Sequence, residues 1–260
     1  TEIKQNEEKL KAGLLKEKEL NDLKSRFVSN ASHEFRTPLA SILLISDVLQ
    51  QYWDKLEKDQ IAERIKKITD QATPLTGIVN KVFEISKFQS GKAGFSPEEI
   101  DLVELCKKVI DGFNPFLEHK NRISFYTSIK SYFAPIDKRL MIQTLNNLLS
   151  NSLKYSPENS FVKVKLLHNQ KEVQIQITDS GIGIPMEDQK HLFEPFFRAT
   201  NTADYPGNGL GLNIARESML LHKGDIKVCS TVGKGSTFII CLPKVVSQAK
   251  EEEKMSFAKN

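Results

Sequence analysis

No apolar run in the 260-residue sequence approaches the ~20 residues that a membrane-crossing helix needs, so no such span is expected. Cysteine is scarce: Cys106, Cys229 and Cys241 form neither a CxxC pair nor a Cys/His cluster. That spacing excludes a thiolate metal centre and a disulfide framework, and it favours a reducing, cytoplasmic compartment. Charge of one sign is not in excess either. The 37 basic and 33 acidic residues leave a net charge of +4 and are interleaved, which argues against nucleic acid as the partner. What is there is an ordinary globular composition, 39% hydrophobic and 27% charged, with length for two domains. The opening TEIKQNEEKLK reads as helix rather than as a secretory leader, and it is expected to continue an upstream segment.

Periodicity divides the chain. From Glu2 to about Gln50 the breakers are few, and Leu20, Leu23 and Phe27 recur at helical spacing. QYWDKLEKD is the expected turn. A second helix follows, with the seam Ile61, Ile65, Ile68, Ala72, Leu75, Val79 and Val82 alternating four and three. Thr73 and Pro74 lie inside it and are expected to bend it. Two long helices joined by a short turn make an antiparallel hairpin, and a hairpin with a wide apolar stripe buries it most simply against a second copy. The prediction is a homodimer built on a four-helix bundle.

QSGKAGFSPEEIDL breaks the helical period, placing a linker at residues 89–97. Beyond it helices are expected at Leu102 to Glu118, Lys138 to Tyr155 and Leu210 to Leu221. Strands are expected near Ile123 to Thr127 and in FVKVKLL, EVQIQITD, GDIKVCS and STFIICLP. That mixture predicts an α+β sandwich following the helical hairpin. The tail from Val245 is charged and aperiodic.

Three stretches carry chemistry. Asn147, Asn151 and Lys154 share one helix face; amide oxygens suit Mg²⁺ and a lysine suits phosphate, although the stretch alone equally describes a half-exposed polar face. DSGIGIP ends a strand with a carboxylate and follows it with glycines that let a ligand approach the backbone. GNGLGLNIA runs a glycine loop into a helix N-terminus, where amide donors favour phosphate, yet it has no GK[ST] and is not a P-loop. Near the start, FVSNASHEFRTPLA sets His33 beside Glu34 and puts Pro38 four residues further on, depriving the Glu34 carbonyl of its helical partner.

The order of these motifs is specific: the asparagine helix, DSGIGIP, FEPFFR, GNGLGL, then GKGSTF, all preceded by SHEFRTPL. In this the chain, from about residue 25 to 243, resembles the sensor histidine kinases of two-component systems. Their nucleotide domain belongs to the wider family of gyrase B, Hsp90 and MutL. The resemblance implies that His33 is the phosphoacceptor, that Glu34 takes its proton, and that Thr37 orients water for dephosphorylation of a partner's phospho-aspartate. It also implies ATP and Mg²⁺ as cofactors. Asn147 and Asn151 would surround the metal, with Asn151 as its ligand, and Lys154 and Tyr155 would contact the phosphate chain. Asp179 would read the adenine amine, with Gly181 and Gly183 giving it room and Thr237 nearby. Gly207, Gly209, Gly211 and Leu212 would hold the triphosphate side, Arg198 would reach the phosphates, and residues 199–206 would form a mobile lid.

Implied partners are a second copy, a response regulator receiver domain and an upstream PAS-like sensor, without nucleic acid. The implied domains are a signalling helix (1–24), a dimerisation and phosphotransfer domain (25–92), an ATP-binding domain (96–246) and a flexible tail (247–260). Against the family's usual pattern, Ser152 replaces alanine, Asn208 replaces threonine and Phe35 stands where leucine is common. The alternative reading is a dimeric scaffold that binds nucleotide without catalysis. A related chaperone or repair ATPase is disfavoured, because such proteins lack a histidine-bearing hairpin.

Overall fold

The computed structural model describes residues 25, 28, 29, 31, 32, 34–113 and 122–244. The signalling helix (1–24), the tail (247–260) and His33 lie outside the described residues. The chain divides into two compact units, Thr1–Glu84 and Ile85–Asn260.

In the first unit, helix α1 (residues 34–52) runs through Pro38 and ends in a 3₁₀ turn, Trp53–Lys55, where the turn was expected. Helix α2 (Lys58–Gln89) follows and continues through Pro74. Around that proline the hydroxyls of Thr69, Thr73 and Thr76 each donate to the carbonyl four residues back. Leu49 and Ile78 are buried, but Ile65 and Val79 of the expected seam are 49% and 50% exposed. The heptad seam is therefore wider than the surface one chain can cover.

The second unit takes in the end of α2 from Ile85, then an extended segment, strand β1 (Glu98–Asp101) and helix α3 (Leu102–Phe113). After it come β2 (Ile123–Thr127), β3 (Phe133–Ile136), α4 (Lys138–Lys154), β4 (Val162–His168), β5 (Glu172–Thr178) and the short α5 (Met186–Gln189). Helix α6 (Gly211–Leu221), β6 (Asp225–Thr231) and β7 (Gly235–Pro243) complete it. The main sheet has the order β2-β4-β5-β7-β6, parallel between β2 and β4 and antiparallel elsewhere. A separate two-stranded sheet pairs β1 with β3.

Alternation explains which face is covered. Val162, Val164 and Leu166 of β4 and Val173, Ile175 and Ile177 of β5 point into the core, while Lys163 and Lys165 point out. Helix α4 meets that inner face with Met141, Leu145, Leu148 and Leu149, and α3 adds Leu105, Cys106 and Val109. Each fully buried leucine contributes about 1.5–3 kcal/mol, so this stripe fixes α4 against the sheet. The same constraint leaves the opposite side of α4, with Asn147 and Asn151, facing the loops that carry the glycines.

The start of α4 is held from three directions. Asp137 caps it by accepting the Leu140 amide at 3.1 Å, and its second oxygen accepts the Ser96 amide at 3.0 Å. The Asp137 amide donates to Nε2 of buried His222 at 3.0 Å, while Nδ1 of that ring lies 2.7 Å from the Ser218 carbonyl. Both partners are satisfied only by the neutral ring protonated on Nδ1. Burial pushes the His222 pKa below the usual histidine value, against the Ser218 carbonyl and the Asp137 charge, which raise it. The unfolded chain therefore binds the proton first on acidification. Stability contributed by His222 is present above about pH 6.5 and is lost as pH falls toward the depressed value. Urea midpoints measured from pH 7.5 down to 5.5 should fall in the native protein and flatten in His222→Gln; parallel slopes would exclude this ring as the source.

Candidate active site

The last turn of α4 and the loop after β5 form the floor. Asp179 follows β5, is 6% exposed, and accepts the amides of Gly181 (2.9 Å) and Ser236 (3.0 Å) on one oxygen. Its other oxygen lies 3.4 Å from the Ser152 hydroxyl on α4. Burial raises the Asp179 pKa above the ordinary carboxylate value, opposed by the hydrogen bonds from Gly181, Ser236 and Ser152. A buried carboxylate with one loosely bonded oxygen is suited to a ligand amine.

Close packing dictates the glycines around it. The Tyr155 carbonyl accepts the Ile182 amide at 3.1 Å, and a Cβ on Gly181 would lie 2.5 Å from that same carbonyl oxygen. Gly183 has φ +68° and sits against β6, where a Cβ would fall 2.0 Å from the Thr231 carbonyl oxygen. DSGIGIP is thus clamped between α4 and β6.

The second glycine loop closes the other end. Phe196, with φ 62°, donates its amide to the Gly209 carbonyl, which joins FEPFFR to GNGLGL. Asn147 donates its amide to the Gly211 carbonyl at 3.1 Å, fixing the start of α6 against α4. Its oxygen remains available. Asn151, one turn on and half-buried, makes no side-chain hydrogen bond among the described residues. Lys154 donates to the Tyr155 hydroxyl at 2.8 Å, and its Nζ is 2.7 Å from where a Cβ on Gly207 would stand. The site therefore has a carboxylate end and an ammonium end, with unspent amide oxygens and the first turn of α6 beside the ammonium.

Three further expected residues have partners of their own. Thr237 pairs with Thr178 across β5 and β7 and meets its hydroxyl at 3.0 Å, on the sheet face opposite the core-facing Phe238. The Asp179 carboxylate accepts the main-chain amide of the preceding residue, Ser236, whose own hydroxyl lies 2.8 Å from that of Ser230. Leu212 packs its side chain against the core, leaving only its main chain in the first turn of α6. Arg198 turns its guanidinium to the carbonyls of Thr202 and Tyr205 rather than toward Lys154. The segment expected as a mobile lid contains a 3₁₀ turn, Thr200–Thr202, tied down by Asp188 and Asn201. Glu34 is half-buried and Thr37 exposed on α1.

No group of three or more His, Cys, Asp or Glu side chains poised to hold a metal occurs among the described residues. The donors present, an amide oxygen of Asn151 with Asn147 beside it, fit Mg²⁺ completed by phosphate and water.

A mixed sheet backed by helices thus carries a carboxylate, two asparagines, a lysine and two glycine loops around the ends of α4 and α6. Residues 136–246 match the histidine kinase-, DNA gyrase B- and HSP90-like ATPase family, and residues 23–91 match the His Kinase A phospho-acceptor domain. The chain belongs to the sensor histidine kinases of two-component systems. It is 34% identical over 235 residues to sensor histidine kinase WalK of Bacillus subtilis, covering 87% of this chain and 38% of that one. To the heme sensor protein HssS of Staphylococcus haemolyticus it is 30% identical, over 87% of this chain and 48% of that one. The chain thus spans about two fifths to half the length of these curated relatives. Among solved structures, histidine kinase ThkA in complex with response regulator protein TrrA superposes with a TM-score of 0.68 at 24% identity, covering 88% of this chain and 64% of that one. The ThkA catalytic domain alone gives 0.50 at 29% identity, over 57% and 97%. Among the described residues no helix is long and apolar enough to cross a membrane.

Proposed function

We propose that this chain is the kinase portion of a sensor: it moves the γ-phosphoryl group of ATP to His33, then to an aspartate of a response regulator receiver domain. The observation that carries the reading is the polarity of the cleft. A buried carboxylate sits at one end, and Lys154, the asparagines and the Gly207 to Gly211 loop lie at the other, in a chain that also holds SHEFRTPL. Asp179 receives the adenine amine; Lys154, Tyr155 and the first turn of α6 receive the phosphates. Mg²⁺, held by Asn151 with Asn147 beside it, would neutralise charge on the phosphate oxygens.

The acceptor step balances within the chain. The neutral imidazole of His33 attacks the γ-phosphorus, the N–P bond forms, and the bond to the bridging oxygen of ADP breaks. The ring proton passes to Glu34. Thr37, exposed one turn along, is placed to orient a water for the reverse control, hydrolysis of the regulator's phospho-aspartate.

A second copy supplies the rest of the bundle. Leu43, Leu44, Ile65 and Val79 are 62%, 66%, 49% and 50% exposed, an apolar surface that a homodimeric four-helix bundle would bury. The domain boundaries follow: phosphotransfer and dimerisation at 25–92, ATP binding at 96–246, and residues 1–24 as the signalling helix from a PAS-like sensor, with the flexible tail at 247–260. A receiver partner agrees with the regulator-bound form of ThkA, and the kinase portion is placed in the cytoplasm.

Incubation with γ-labelled ATP and Mg²⁺ tests this. The protein should acquire label that is lost in acid and kept in alkali, and should pass it to a receiver domain. Acid-stable label would move the acceptor to an oxygen nucleophile. Nucleotide binding without label would replace the kinase by the scaffold.

A further inference from the structure

Tyr205 lies in none of the motifs, yet it is the lid residue that reaches the cleft. Its ring centroid is 5.1 Å from that of Tyr155, with the planes inclined at 57°. Tyr155 is also where Lys154 rests: Nζ is 2.8 Å from its hydroxyl and 4.3 Å from its ring centroid. Two residues beyond Tyr205, the main chain at Gly207 passes so near the Lys154 ammonium that a Cβ there would come within 2.7 Å of it. Lid, aromatic ring and phosphate-side lysine thus meet at one point.

The root of the lid is built to present that ring. Asp188, 8% exposed, accepts both the amide (2.8 Å) and the hydroxyl (2.9 Å) of Thr200. Asn201 donates to the Gly183 carbonyl at 2.9 Å, joining the lid to the adenine-side loop. The Arg198 guanidinium then holds the carbonyls of Thr202 and Tyr205 together, and the Tyr205 amide donates to the Thr202 carbonyl at 3.2 Å. Only a few residues, from Tyr205 to Asn208, separate this pinned root from Gly209, which is itself anchored by Phe196. The strap between the pinned root and Gly209 is short, so the reach of its one aromatic ring is confined to the Tyr155 end of the site.

We infer that Tyr205 is the residue by which the lid closes over bound nucleotide: its ring docks on Tyr155, draws the Gly207 main chain over the phosphate end, and thereby slows nucleotide release. Arg198 is a positioning residue for this contact. The inference rests on the reading of the cleft as an ATP site.

An aromatic pair of this kind is worth a roughly three- to tenfold change in an equilibrium constant. Stopped-flow release of a fluorescent ATP analogue from the whole chain should therefore be about three- to tenfold faster in Tyr205→Ala. Tyr205→Phe should match the native protein, because the contact is ring to ring. Adenosine, which lacks phosphates, should bind both variants as it binds the native chain. Unchanged or slower release in Tyr205→Ala would overturn the closing role, the latter by showing that the contact keeps nucleotide out. A protein with altered adenosine affinity would also overturn it, since the effect would then lie at the adenine end. Failure of the underlying site is separately visible: Asp179→Asn would leave analogue binding unaffected.

Discussion

Asp179→Asn should cost at least 100-fold in ATP affinity while raising the thermal midpoint of the nucleotide domain. Both halves follow from one carboxylate. In the native chain one Asp179 oxygen accepts the Gly181 and Ser236 amides, and an asparagine oxygen in the same place accepts both, without the charge assistance. The other oxygen faces Ser152, whose hydroxyl at 3.4 Å can accept from an amide as readily as it donates to a carboxylate. The fold therefore keeps these hydrogen bonds in weaker form. What changes is the group offered to the ligand, a donor where the adenine amine needs an acceptor; a lost charged hydrogen bond with two donors opposed is worth about 3 kcal/mol or slightly more. The stability gain comes from burial, which raises the Asp179 pKa above its ordinary value. A raised carboxylate contributes stability below the unfolded pKa and loses it as pH climbs through the folded one, so at neutral pH the ionised group is a burden. Relieving about 1 kcal/mol lifts the midpoint of a domain this size by about 2–4 °C. Isothermal titration with ATP and thermal denaturation at pH 7.5 and pH 4.5 check the pair. The stabilisation should shrink at the lower pH, and a variant that lost both binding and stability would show Asp179 to be a structural residue instead.

The contrast between Asp179 and Thr237 shows how far the sequence carried the site. Strand alternation in VKVKLL and EVQIQIT made β4 and β5 legible, because one face is buried and the other wet. The leucines and the asparagines of α4 likewise separate onto two faces. The motif GKGSTF brings a main-chain amide to the carboxylate, that of Ser236, while the Ser236 hydroxyl turns to Ser230 and the Thr237 hydroxyl to Thr178. A main-chain contact leaves no mark in the residue pattern, so the sequence could not show it. The small β1–β3 sheet is not legible in the sequence for a related reason. Glu98, Glu99 and Pro135 offer no alternation, and the pairing depends on residues far apart in the chain. The lid root was illegible in the same way. Asp188 to Thr200 and Asn201 to Gly183 are long-range bonds made by polar residues with no period to reveal them, and they brace the root of the expected lid.

His33→Ala should abolish covalent labelling, by at least 10³-fold, while leaving ATP affinity unaltered. An alanine offers no lone pair, and among the described residues Asp179, Asn147 and Lys154 are held by partners between residues 152 and 236. The neutral imidazole carries the ring lone pair that attacks phosphorus. ATP binding measured in parallel separates loss of the acceptor from loss of the site. The variant pair then becomes a tool. Asp179→Asn keeps the acceptor and loses the donor site, whereas His33→Ala keeps the donor site and loses the acceptor. Each alone should be unlabelled. Co-refolded into mixed dimers, they should recover label only if the phosphoryl group crosses between protomers, and remain dark if each cleft serves its own histidine. Label persisting in His33→Ala by itself would end the proposal, because no placement of the cleft could then make SHEFRTPL the acceptor.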